Sequence, residues 1–152
     1  MNQRRSVRRP DEFSDFIDRL LGRTPHGAPA PFETIRDILV LAASVGLAKG
    51  AREEFSRTAE PVALDTMRGH PDFQLVVDVI QVEISADGSA NCLATENDEA
   101  ALVAFEEFAC GGLRILEREF NSRPGNREDP TRAQSMLMDF GHNQLSLVNT
   151  NP

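Results

Sequence analysis

Apolar residues recur at helical spacing along most of this chain. Phe13, Phe16, Ile17, Leu20 and Leu21 form one face of a short amphipathic helix. Pro10 stands where a helix can begin, Asp11 and Glu12 suit the positive end of the helix dipole, and Gly22 is a stop. Residues 26–31 (HGAPAP) are a linker that cannot be regular helix. Next comes a run, residues 38–48, that is nearly uncharged and full of small residues. A helix that apolar is buried on nearly all sides, so it is expected at the centre of the fold. Thr34 and Asp37 resemble a capping box at its start, and Gly50 supplies a left-handed position at its end.

Residues 51–70 are polar and mixed, with a short turn or helix near residues 61–67. Pro71 opens the next segment, where Phe73, Val76, Val77 and Ile80 fall on successive helical turns. The same stretch is rich in β-branched residues and alternates well enough to read as a strand. Helix is preferred, because no other segment offers a strand partner. Residues 85–91 form a turn. Thr95 and Asp98 make a second capping pair before the longest predicted helix, residues 98–120. Its stripe is Leu102, Phe105, Phe108, Ala109, Leu113, Leu116 and Phe120. Residues 121–125 (NSRPG) break it. Asp129-Pro130 starts a last helix that packs through Met136, Leu137 and Phe140. The expected fold is therefore all-α, a single-domain bundle of four to six helices around a buried central helix. Residues 1–9 read as a flexible basic arm, 10–142 as the helical domain and 143–152 as a loose tail.

Ala42, Gly46 and Gly50 recur every four residues and share one helix face. Glycine inside a helix costs on the order of 1 kcal/mol relative to alanine. Close approach of another helix at Gly46 is the simplest offset. Gly111 and Gly112 repeat the signal inside the long helix. The two small-residue faces are expected to meet; the alternative is a glycine patch open to a partner's backbone or a ligand.

With 152 residues the chain is long enough for one cored domain without disulfides or metals. The net charge of −8 conceals an asymmetry: Arg4, Arg5, Arg8 and Arg9 crowd the first nine residues, which hold no acid. An acidic body repels nucleic acid, which argues against a broad DNA-binding surface. The arginine arm, with Arg52 after the central helix, remains the candidate for auxiliary phosphate contact; folding of the arm onto the acidic body or an acidic partner is the other outcome. Cys92 and Cys110 stand far apart, and His26, His70 and His142 show no ligand spacing, so no metal site is expected. Cys110 reads as a small core residue and Cys92 as a turn residue. The adjacent pairs Glu53-Glu54 and Glu106-Glu107 point about 100° apart on a helix and read as solvated faces. No nucleophile elbow, phosphate-binding loop or dinucleotide fingerprint is present, and no catalytic residue or cofactor is expected. The longest apolar run is too short for a bilayer, which takes roughly 20 residues. With no secretory signal in view, a cytoplasmic protein with reduced thiols is expected.

Two blocks carry a family resemblance. The first comprises Phe32, Thr34, Ile35, Asp37, Leu39, Ala42, Ala43 and Gly46, followed by Gly50 and Arg52. The second comprises Phe105, Glu106, Glu107, Phe108, Ala109, Gly111, Gly112, Leu113, Ile115 and Leu116. Arg8, Arg9 and Pro10 precede both. Together they resemble the small bacterial proteins called DNA phosphorothioation-associated protein 4, or dnd system-associated protein 4. Leu41 and Cys110 depart from the pattern, where an aromatic and an asparagine are expected. The resemblance implies a system that replaces a non-bridging phosphate oxygen of DNA with sulfur and restricts unmarked DNA. It carries over no catalytic residue. The expectation is a non-catalytic accessory subunit in anti-phage defence that binds other proteins of the system, with homo-oligomerisation open. The alternative is a small DNA-associated factor that contacts phosphates through its arginine arm.

Overall fold

Local sequence signals mark both ends of the central helix and the end of the first one. The structure, a computed structural model, describes residues 4–23, 30–85 and 98–122. In chain order these are strand β1 (Ser6–Val7), a single 3-10 turn (Asp11–Phe13) running into helix α1 (Ser14–Leu20), and α2 (Ile35–Lys49). Strand β2 (Val62–Ala63), α3 (Leu64–Arg68), α4 (Phe73–Ile84) and α5 (Asp98–Ser122) follow. The fold is predominantly helical. The segment 73–84, open between helix and strand from its composition, is helix. Thr95, Asp129 and the helix expected after it, His26, His142 and Cys92 lie outside the described residues.

Thr34 caps α2 by accepting the Asp37 N–H at 3.4 Å, and its hydroxyl donates to the Asp37 carboxylate at 2.7 Å. Gly50 ends the helix at φ 63°, and the Ala51 N–H then closes back on the Gly46 carbonyl at 2.7 Å. Gly22 ends α1 in the same backbone region, at φ 70°.

Helix α2 does not hold the centre alone. It packs lengthwise against α5, and α4 leans on both. From Ala101 to Leu113 every residue of α5 except Val103 is buried. The reason is that α5 is covered from several sides, by α2, by α4, by the chain just after α2, and by the N-terminal residues. Phe105 meets Phe73 of α4 edge to face at 5.1 Å, and Phe120 meets Phe16 of α1 at 5.7 Å.

Residues 4–9, read from the sequence as part of a flexible arm, run extended against the body together with Pro10. Ser6 and Val7 pair antiparallel with Ala63 and Val62, and Pro10 bridges to Thr58. The Leu64 N–H donates to the Arg5 carbonyl, and the Ala59 N–H to that of Arg9. Val7 is 1 % exposed, so this stretch contributes to the core. The strands are two residues each, too short to show as a periodic pattern.

Candidate functional site

The small-residue faces expected to meet do so on the backbone. A β-carbon built on Gly112 would fall within the Ala42 peptide, one on Gly46 within the Phe108 carbonyl, and one on Gly111 within the Ala51 carbonyl. Any side chain at these positions would force α2 and α5 apart. Gly50 takes no part in this contact: nothing lies within 4 Å of the β-carbon position, and its role is the positive φ. Gly46, Gly111 and Gly112 face the interior, so they do not form an open cleft.

The polar chemistry gathers along α5, on residues that the sequence reading placed in solvent. Glu106 and Glu107 are 1 % and 7 % exposed. The reading of this pair as a solvated face is therefore overturned, because α5 has no free side over this span. Glu106 is the anchor for the N-terminal residues. It accepts Arg4 Nη2 at 3.0 and 3.1 Å, Arg8 Nε at 3.1 Å, and the Arg8 backbone N–H. Arg4 and Arg8, four residues apart on an extended segment, lie on the same side and converge on one carboxylate. The Arg8 guanidinium also stacks 5.5 Å from the Phe55 ring centroid.

Glu107 receives Arg52 Nη2 at 3.0 Å, and the Arg52 guanidinium lies 5.7 Å from the Phe108 ring centroid. The neighbouring Glu53 N–H donates to the Glu107 carbonyl at 3.0 Å, tying the chain after α2 to the middle of α5. About two turns further along α5, Arg114 donates to Glu53 at 2.6–3.0 Å and to Glu12 at 2.8 Å while it covers the Phe13 ring at 5.1 Å. The hydrogen bond from Arg114 holds the Glu53 carboxyl below the usual carboxylate range.

Each sequence-predicted arginine thus has a definite place. Arg4 and Arg8 are on Glu106, and Arg52 is on Glu107. Arg9 donates from Nε to the Glu60 carbonyl at 2.9 Å. Arg5 is exposed, and among the described residues no acid pairs with its side chain. Glu12, Glu53, Glu106, Glu107 and Arg114 were missed as partners. For Glu106, Glu107 and Arg114 the sequence signal was the placement of charges inside the apolar run of α5, between Phe105 and Phe108 and between Leu113 and Ile115.

Glu12, Glu53 and Cys110 bring their ligand atoms within 4.8 Å of one another, the one such cluster among the described residues. It is poorly suited to a cation. Arg114 already neutralises both carboxylates, and a metal would have to displace it. Burial, followed by the charges of Glu53 and Glu12, pushes the Cys110 thiol up to about 12, so it stays protonated and is a weak ligand and nucleophile. His70 is structural as well. Its Nδ1 accepts the Asp72 N–H at 3.1 Å and its Nε2 lies 3.3 Å from Asp37, joining the start of α4 to the first turn of α2.

The family model for DNA sulphur modification system-associated protein 4 matches residues 6–148. The chain belongs to this family. No curated protein and no solved structure matches it. The family match takes in both helices of the glycine contact and most of the charged contacts on α5, namely Arg8, Arg52, Glu106, Glu107 and Arg114; Arg4 and Arg5 precede it. No described helix is long and apolar enough to cross a membrane.

Proposed function

We propose that this chain is a non-catalytic accessory subunit of a bacterial DNA phosphorothioation system, acting in the cytoplasm by binding other proteins of that system. The observation that carries the reading is membership of the sulphur-modification-associated family across nearly the whole chain. The state of the charged groups supports it. The buried acids of α5, Glu106 and Glu107, are matched by arginines, as is Glu53, and Cys110 is a protonated core thiol, so none of these groups is a poised acid, base or nucleophile. A role in restricting unmarked DNA, and hence in anti-phage defence, belongs to the same proposal.

Co-expression of the tagged chain with the other proteins of its system tests this. A stoichiometric complex that survives high salt is the expected result; recovery of the chain alone would overturn it. Deleting the gene should alter either the phosphorothioate content of host DNA or the restriction of unmarked DNA.

A second reading, a small DNA-associated factor, rests on Arg5, which is exposed without an acidic partner among the described residues, and on nearby Arg9. It requires duplex binding that weakens steeply with salt and is lost in Arg5→Ala/Arg9→Ala.

A further inference from the structure

Helix α4 is apolar on two opposite faces. Phe73, Val77 and Ile80 are buried against the body. On the far side Leu75, Val79 and Val82 are 62, 46 and 37 % exposed, the large apolar side chains that stand out in solvent among the described residues. Their spacing of four and three places them on one line along the helix. A surface helix ordinarily turns charged and polar residues outward, and an outward apolar line on such a helix marks a contact surface.

The borders of that line have one sign. Asp72 and Glu83 flank it on one side and Asp78 on the other, and α4 contains no lysine or arginine. That charge pattern selects the occupant. A second copy of this chain would set the same acids against each other, between bodies that each carry −8. An anionic membrane would be repelled for the same reason. A helix with an apolar stripe bordered by lysine or arginine satisfies both the stripe and its rims.

We infer that the outer face of α4 is a docking surface for an amphipathic helix of another protein, apolar along one line and basic on both borders. The inference rests on the interaction-subunit reading and assigns that reading a surface and a partner chemistry. Leu75, Val79 and Val82 supply the contact; Asp72, Asp78 and Glu83 set the sign of the partner and its approach.

The test uses the full-length chain and three labelled helical peptides with the same leucine stripe, bordered by lysine and arginine, by glutamate, or scrambled. Fluorescence anisotropy should show saturable binding of the basic-bordered peptide alone. Binding should fall at least tenfold in Leu75→Ser/Val79→Ser/Val82→Ser. In Asp72→Asn/Asp78→Asn/Glu83→Gln it should weaken and lose its salt dependence. Both variants should keep the wild-type melting curve, because Leu75, Val79, Val82, Asp72 and Glu83 face solvent and Asp78→Asn keeps an oxygen to accept the Gln74 amide. No binding of the basic peptide, equal binding of the acidic one, or full binding by the serine variant would overturn the inference. So would a dimer in sedimentation that the serine variant abolishes, or a photo-crosslinker at Val79 that attaches to residues 123–152 of its own chain. If the serine variant still co-purifies with the system's proteins, the surface is wrong and the subunit reading stands. If the wild-type chain retains none of them, the subunit reading fails, and the peptide result then judges the surface alone.

Discussion

At the scale of single residues, Glu106 and Cys110 illustrate how burial changes what a side chain can do. A buried carboxylate is tolerable only while it is paired, and Glu106 is paired with two arginines and a backbone N–H. Replacing it with alanine leaves Arg4 facing an apolar helix with no counter-charge. Glu106→Ala should cost about 3 kcal/mol in urea denaturation, and Glu106→Gln, which keeps the acceptor oxygen, clearly less. Amide exchange at Val7 and Leu64 should quicken in both, since their strand contact depends on the same anchor. Cys110 makes the opposite point, that an uncharged thiol needs no partner. With its titration pushed up to about 12, it should resist iodoacetamide in the native protein and react readily once urea is added. Peptide mapping of that cysteine checks this; rapid native labelling would show the contact of α5 with Glu12 and Glu53 to be open.

At the scale of elements, the α2–α5 seam is made by backbone contact rather than by interlocking side chains. Gly112 lies against the Ala42 peptide and Gly46 against the Phe108 carbonyl, so one methyl group has no space at either place. Gly112→Ala should therefore destabilise the fold by more than about 2 kcal/mol, toward the upper end of overpacking costs. Gly50→Ala makes an informative contrast. It meets open space and costs only the left-handed backbone, about 1 kcal/mol. Thermal melts of the two variants should separate these causes. Equal losses would mean that conformational freedom, not close approach, explains Gly112. Helix α4 shows a different element-scale problem, a buried Gln81 whose Nε2 has no hydrogen-bond partner among the described residues. That orphan donor is a standing cost beside an otherwise apolar buried face.

For the molecule as a whole, charge pairs join segments far apart in sequence: residues 4–8 to α5, residues 52–53 to α5, and Glu12 to α5 through Arg114. Such pairs fix which segment lies where more than they add stability, because exposed partners are screened by water and salt. The pH dependence follows from Glu53, whose native titration is lowered by the Arg114 hydrogen bond. A lowered carboxylate stabilises the fold above its unfolded titration range, and that contribution disappears as pH falls through the native one. Wild type should therefore lose stability relative to Glu53→Gln on acidification below about pH 4.5, with the two curves parallel at neutral pH. Denaturant melts at stepped pH test this, and a constant difference down to strongly acid pH would contradict it.

The positions of α1, α2 and α5 could be read directly from the sequence, because Thr34, Gly22, Gly50 and the spacing of apolar residues act through contacts a few residues apart, whereas the β-branched composition of residues 73–84 left α4 open between helix and strand. The close approach of α2 and α5 at Gly46 and Gly112 could also be anticipated, since glycine inside a helix needs a close neighbour to offset its cost. The destination of Arg4 and Arg8 could not. Whether an arginine meets water, phosphate or a buried glutamate about a hundred residues away depends on which surfaces the packed helices leave uncovered. Glu106 and Glu107 were misjudged for the same reason: helical spacing tells which way a side chain points, and only the arrangement of α2, α4 and the N-terminal strand around α5 decided that there was no solvent there. Sequence determined the helices and their seam through short-range stereochemistry; tertiary structure decided the charge pairing, because pairing is a property of surfaces that exist only after the chain has folded.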